Sequence, residues 1–328
     1  TQLRELIAYA EEEEKDASVW IVKEEGGRRG VGIAILDRLH EVLTRCDDLH
    51  YRVVVQRYIP NPLLIRERKF DIRLWGLVTS VNPLVWWVYD EYYCRFASMA
   101  YHSHEDGGEG TTTSGFAHAA HLTNHCVQRD CEGYGEAVEG NMMSREELRA
   151  ELLNASGGSG SEAAEAKEAA LFAEMVGLVD VALRSVSDVI EQRHGSFELF
   201  GFDLLIDDTY KPWLLEANAS PSMDRDAAPL RKMVDEGLED LLSVVLALNH
   251  EGRNVGDVGE ERQRRSAPCW RLASKEGEVR TERELRARRF RKECEAGGVT
   301  AAQPNAQAHN RPDLVVREWR KRSAVGVS

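Results

Sequence analysis

The stretch FGFDLLIDDTYKPWLLEANASPS (residues 200–222) sets Asp203, Glu216 and Asn218 among aromatic and aliphatic residues. Two apolar arms, FELFGFDLLID and KPWLLEANA, flank the turn-like run DDTYK, so the stretch reads as a β-hairpin. With the turn centred on Thr209 and Tyr210, residues whose numbers sum to 419 face each other, and Asp203 stands opposite Glu216. Side chains alternate faces along a strand, which puts Asn218 on the face of Glu216. Two opposed carboxylates on a half-buried sheet repel each other and are costly to desolvate. A divalent cation offsets both costs, and oxygen donors without imidazole or thiolate favour Mg²⁺ or Mn²⁺ over Zn²⁺. The alternative is a solvated sheet face on which each acid pairs with a Lys or Arg.

The rest of the chain bounds that reading. At 328 residues, 42% hydrophobic and 30% charged, the sequence has the composition of a soluble globular protein with room for two lobes. Its net charge of −14 attracts cations and argues against general nucleic-acid binding. The charge is uneven: residues 251–328 hold 18 Lys+Arg against 12 Asp+Glu, leaving 24 against 44 before them. Six cysteines without a C-x-x-C pair argue against a disulfide framework and for a reducing compartment. No apolar run approaches the roughly 20 residues that span a bilayer, so no membrane insertion is expected.

Along the chain, WIVK, IAIL and VVVQRYI read as strands around a glycine-rich loop, with a short helix near residues 39–43. KFDIRLWGLVTS and PLVWWVYDEYYCRFAS read as adjacent antiparallel strands joined at VNP. Helical periodicity starts at Ala166, with Gly195 as its C-terminal cap, and recurs over residues 230–246. Hydrophobic density falls after Glu251. The expected division is residues 1–58, residues 59–250, and a basic, loosely structured or helical tail over 251–328.

Two further segments suit phosphate. Lys23 precedes EEGGRRGVGI, where Gly30 and Gly32 would let backbone N–H groups approach an anion and Arg29 adds charge, although a plain hairpin turn has the same composition. KFDIR puts Lys69, Asp71 and Arg73 on one strand face, fit for phosphate and ribose contacts or for plain exposure to water.

In combination, W-I-V-K, R-G-V-G-I, V-V-Q-R-Y-I, N-P-L-L-I, R-K-F-D-I-R-L, C-R-F, H-L-T-N-H-C and F-G-F-D…K-P-W-L-L-E-A-N-A-S-P-S closely resemble the tubulin tyrosine ligase-like family over residues 20–223. The resemblance implies an α+β, ATP-grasp fold in which two lobes with antiparallel sheets hold ATP between them. The family's N-terminal lobe is not recognisable. It also implies roles: Lys23 and Lys69 on the ATP phosphates, Gln56, Arg57, Tyr58 and Ile59 as the adenine hinge, and Asp71 on the ribose side. Arg73, Arg95 and Asn124 would line the junction of γ-phosphate and acceptor, and Asp203, Glu216 and Asn218 would bind Mg²⁺.

The implied activity is ATP-dependent addition of a free amino acid, glutamate ahead of tyrosine, to acidic tubulin tails through an acyl phosphate. A cytoplasmic, cytoskeleton-associated location such as the cilium or basal body would follow. The alternatives are tyrosine ligation itself, a non-catalytic tubulin- or microtubule-binding module, and a ligase for another acceptor. Two positions depart from the family pattern: Glu24 replaces a proline and Tyr92 a glycine, both expected near the active-site mouth. His121, His125, Cys126 and Cys131 offer a Zn²⁺ alternative for HLTNHC, and Trp86 with Trp87 read as sheet packing.

Overall fold

The computed structural model describes residues 19–24, 32–48, 52–102, 118–155, 161–193, 195–225, 227–266 and 268–275. The described residues fall into two units, one over residues 19–60 and the other over 61–102 and 118–275.

In the first unit, strands β1 (Trp20–Glu24), β2 (Ala34–Leu36) and β3 (Val53–Arg57) form an antiparallel sheet of order β2-β1-β3, and helix α1 spans Leu39–Asp48. Trp20 and Val22 point to one face and pack with Leu36 and Val42. Period-two alternation therefore leaves Ile21 and Lys23 on the other face, where their partners are Gln56 and Val54.

The second unit is built on two long strands, β5 (Arg68–Val81) and β6 (Leu84–Phe96), paired antiparallel as their aromatic and β-branched content predicts. Strands β4 (Leu64–Ile65) and β7 (Met142–Ser144) add short pairings, while β8 (Glu198–Ile206), β9 (Pro212–Asn218) and β10 (Trp270–Lys275) complete the order β10-β6-β5-β8-β9. Short helices α2 (His118–His121) and α3 (His125–Gln128) follow β6, and the longer helices are α4 (Arg145–Ala155), α5 (Ser161–Val186), α6 (Ala228–Asn249) and α7 (Val255–Gln263).

Alternation along the strands gives the sheet two apolar faces. Phe70, Ile72, Leu74, Trp86, Tyr92 and Phe202 pack beneath α4 and α5 through Leu148, Met175 and Val179. On the other face Trp75, Leu77, Trp87 and Tyr89 pack against α6 through Met233, Val234 and Leu241. Both Trp86 and Trp87 are sheet core, their indole N–H groups donating to Asp180 at 2.9 Å and to Thr79 at 3.1 Å.

Three expectations are corrected. The segment after residue 250 is not loose where it is described: α7 and β10 follow, β10 pairs with β6, and Trp270 is fully buried. One tryptophan, its ring centroid 5.3 Å from that of Tyr89 with the planes tilted by 48° and its indole N–H donating to Gly237 O at 2.8 Å, anchors a segment whose average hydrophobicity is low. Gly195 does not cap the long helix, which ends at Val186. Tyr92 is not at a site mouth. It lies under α5, 1% exposed, its hydroxyl 2.8 Å from buried Glu168, which also pairs with Arg145 at 2.8 Å and Arg149 at 3.0 Å.

Candidate active site

The face that α6 covers at one end of the sheet carries charge at the other. Along β5, Lys69, Asp71 and Arg73 precede Trp75 and Leu77 on this face, and all three are buried. Asp71 pairs across the strands with Arg95 of β6, and Arg73 with Asp203 of β8. Asp203 in turn pairs with Glu216 of β9, as the hairpin count predicts. The route to that pairing differs from the expectation. Pairs nearer the turn, Leu204↔Leu214 and Ile206↔Pro212, are one position out of phase with Asp203↔Glu216, so the turn centres on Thr209 and a bulge takes up the extra residue.

The ion pairs are short and shielded. Arg73 Nε and Nη2 donate to the two Asp203 oxygens at 2.5 and 3.1 Å. Arg95 Nε and Nη2 donate to the two Asp71 oxygens at 2.8 and 2.5 Å, and Nη2 also reaches Asp203 Oδ2 at 2.7 Å. Burial works against ionisation of Asp203, yet the guanidiniums of Arg95 and Arg73 outweigh it and hold the carboxyl well below the usual carboxylate range. Burial likewise disfavours the Arg95 charge, and Asp203 and Asp71 more than restore it. Gly201, one pleat from Asp203, makes room for this: a Cβ there would stand 2.9 Å from both Arg73 Cδ and Pro221 Cβ.

Asn218 joins Asp203 and Glu216, its Nδ2 lying 3.4 Å from Asp203 Oδ2 and 3.2 Å from Glu216 Oε1. A half-turn of the amide exchanges nitrogen for oxygen without moving other atoms, so the three side chains can present oxygen donors to one point. That set fits a hard divalent cation of the Mg²⁺ type. Three carboxylates face Lys69, Arg73 and Arg95 here, so a bound dication leaves positive charge that anionic phosphates would balance.

The HLTNHC segment lies against the same cluster. Asn124 stands at the N-cap position of α3 without a side-chain cap bond, and its neighbour Thr123 donates to Asp71 Oδ2 at 2.8 Å. Thr123 is a site residue that the sequence reading passed over, although it sits inside a motif already singled out. Buried Gln128 fixes the segment, accepting from Ser98 N at 2.6 Å and donating to Leu122 O. The histidines do not converge on a metal: His121 meets the Tyr101 ring at 5.0 Å and His125 the Tyr134 ring at 5.9 Å. No group of three His, Cys, Asp or Glu suited to a metal occurs among the described residues.

In the first unit, Lys23 and Gln56 share a sheet face. Of the hinge residues, Arg57 is paired with Trp20, the Tyr58 N–H donates to Val19 O at 2.8 Å, and Ile59 is half-buried. Glu24, the position expected as proline, accepts from Arg45 at 3.3 Å, and its carboxyl carbon lies 2.6 Å from where a Cβ on Gly32 would be. Gly32 adopts φ +79°, which also favours glycine. Arg29 and Gly30 lie outside the described residues.

A buried row of paired carboxylates and guanidiniums thus lies on one sheet face with an oxygen donor set beside it. The chain matches the tubulin-tyrosine ligase family model over residues 1–254 and belongs to that family. The match runs beyond both ends of the motif-bearing region. Among its relatives are tubulin glycylase 3D of Tetrahymena thermophila, 34% identical over 70% of this chain and 21% of that protein, and tubulin polyglutamylase TTLL5 of Mus musculus, 34% identical over 70% and 17%. Tubulin monoglycylase TTLL3 of Mus musculus is 32% identical over 71% and 24%. The chain spans about a fifth of the length of these relatives. No described helix is long and apolar enough to cross a membrane.

Proposed function

We propose that this chain carries the catalytic site of an ATP- and Mg²⁺-dependent ligase, with an ATP-grasp fold, that joins a free amino acid to a carboxylate of tubulin's acidic tails. The observation that carries the reading is the convergence of Asp203, Glu216 and Asn218 beside two buried arginines on one sheet face. Amide formation from a carboxylate is uphill in water, so the acceptor is first phosphorylated by ATP and the amine then displaces phosphate. Mg²⁺ on Asp203, Glu216 and Asn218 would neutralise the nucleotide phosphates during that transfer. Arg95 and Arg73 orient the carboxylate under attack, for which planar forks are suited. Lys23 and Lys69 hold phosphate, and Asn124 supports the oxyanion of the addition step.

Glutamate is the amino acid we assign, on the NPLLI, KFDIRL and EANASPS motifs. Glycine is the second reading, because two of the relatives described above are named glycylases. A cytoskeletal, microtubule-associated location goes with either. Mass spectrometry of tubulin incubated with the protein, ATP, Mg²⁺ and glutamate, glycine or tyrosine tests the assignment. A gain of glutamyl mass that Asp203→Ala and Glu216→Ala abolish supports it, a gain with glycine alone moves it to the second reading, and no gain with any amino acid refutes it.

A further inference from the structure

We infer that Asn141 is a positioning residue, and that with Ser98 and Gln128 it forms a buried clasp setting the HLTNHC segment against the end of β6. The inference rests on the ligase reading above. Strand β6 carries Arg95 and ends at Phe96, and just beyond it three polar side chains meet, those of Ser98, Gln128 and Asn141, all buried. Asn141 Nδ2 donates to Phe96 O at 3.1 Å and to Ser98 Oγ at 2.8 Å, while its Oδ1 accepts from Gly135 N at 2.8 Å. One amide thus joins the residue after Arg95, the loop over residues 129–141 and Ser98. Asn141 also stands directly before β7, whose Met142 pairs with Arg95, and it adopts φ +52°, a conformation that asparagine tolerates better than most side chains.

The clasp closes on the segment that bears Asn124. Gln128 Oε1 accepts from Ser98 N at 2.6 Å and its Nε2 donates to Leu122 O, while Gln128 N donates to Asn124 O at 3.1 Å. Side chain and backbone of one residue therefore fix the chain on both sides of Thr123. Ser98 Oγ, which accepts from Asn141, donates in turn to Gln128 O at 3.4 Å, so the three residues form one connected network. Apolar side chains of the same volume would fill this space without a preferred direction, whereas hydrogen bonds pin the backbone at defined points. Within the ligase reading Asn124 serves the addition step, where a misplacement of about 1 Å costs up to about 100-fold in rate. Asn141 touches neither nucleotide nor acceptor in this scheme and acts through Asn124.

The test uses the full chain and compares wild type with Asn141→Gly, Ser98→Ala and the double variant. Glycine accepts the positive φ at position 141, so Asn141→Gly removes the side-chain bonds and keeps the backbone conformation available. Hydrogen exchange at the amides of Val127 and Gln128, both bonded to Asn124 O, should quicken about tenfold or more in Asn141→Gly, with the β8–β9 hairpin changed by less than about twofold. Ligation kinetics with tubulin should show kcat/KM for ATP about tenfold lower or worse. The Mg²⁺ concentration for half-maximal rate should stay within about twofold of wild type, because Asp203, Glu216 and Asn218 lie outside the clasp. Ser98→Ala keeps the backbone N–H that reaches Gln128 and should lose about threefold, and the double variant should fall no further than Asn141→Gly, since both act through one network. Should Asn141→Gly fail to fold, Ser98→Ala keeps the test decisive. Unchanged exchange and kcat/KM in a folded variant, or a loss that shifts the Mg²⁺ requirement equally, makes the clasp ordinary core and overturns the inference. An inactive wild type refutes the ligase reading, and the inference with it, whereas an active wild type with equally active variants refutes the inference alone.

Discussion

Replacing Asp203 by asparagine tests the electrostatics of the charged row directly. The substitution keeps the side chain's size and leaves two buried guanidiniums, Arg73 and Arg95, facing one fewer carboxylate. Removing one partner of a buried ion pair costs about 3–5 kcal/mol. Arg95 keeps Asp71, whereas Arg73 loses the only carboxylate that it pairs with among the described residues, so the lower end, about 3 kcal/mol, is expected. For a unit of this size about 1 kcal/mol corresponds to ~2–4 °C, which gives a fall in Tm of roughly 6–12 °C at pH 7. The pH dependence has a fixed sign. The folded-state pKa of Asp203 is depressed, so its stabilisation is present above the unfolded value of about 3.9 and is lost as pH falls through the folded one. The gap between wild type and Asp203→Asn should therefore hold from pH 7 to about 5 and shrink below about 4. Thermal unfolding followed by tryptophan fluorescence reads the second unit, whose core contains Trp75, Trp86 and Trp87. A variant within about 0.5 kcal/mol of wild type at pH 7, or a gap that widens in acid, would show that repulsion from Glu216 and Asp71 dominates and that the arginines do not hold this carboxylate down.

Two other substitutions probe the supports of the site. In Gly201→Ala the new methyl, 2.9 Å from Arg73 Cδ and Pro221 Cβ, should cost about 1–3 kcal/mol by overpacking and displace Arg73 from Asp203. Thermal unfolding should show that loss together with disappearance of the Tm rise given by ATP with Mg²⁺, and a full nucleotide shift would contradict the packing argument. Trp270→Ala removes a fully buried ring packed at a tilt against Tyr89 and should cost about 3–5 kcal/mol. Were β10 a dispensable appendage, chemical denaturation would find the variant within about 1 kcal/mol of wild type.

The hairpin was legible because it joins two strong signals, period-two alternation and a turn of recognisable composition, and a count across that turn suffices to pair Asp203 with Glu216. The count succeeded although its turn centre was half a residue off, because the bulge between Asp203 and its neighbours supplied the difference. A sequence does not mark such a bulge. Tyr92 is misplaced for a different reason: the family pattern puts it next to the C-R-F segment, yet its offset of three residues from Arg95 puts the two on opposite faces of β6. Thr123 was missed because a threonine beside a polar motif carries no sign of whether its hydroxyl faces water or a buried carboxylate. The strand at Trp270 escaped a reading based on hydrophobic density, since an edge strand is held by backbone pairing and one large side chain more than by its average composition.

The position of β10 also has a consequence in time. Its partner β6 ends at Phe96, whereas β10 begins at Trp270, after α6 and α7. Chain synthesis at roughly 5–20 residues per second leaves an interval of about 10–40 s between the two. Throughout it the stretch Val85–Tyr89 that later receives β10, with Trp86 and Trp87 in its middle, has been made without its partner. A nascent chain at this stage offers an aromatic-rich strand edge to any other extended segment, the kind of edge that invites wrong pairing. Shielding of that edge until β10 has emerged would limit such wrong pairing on the ribosome.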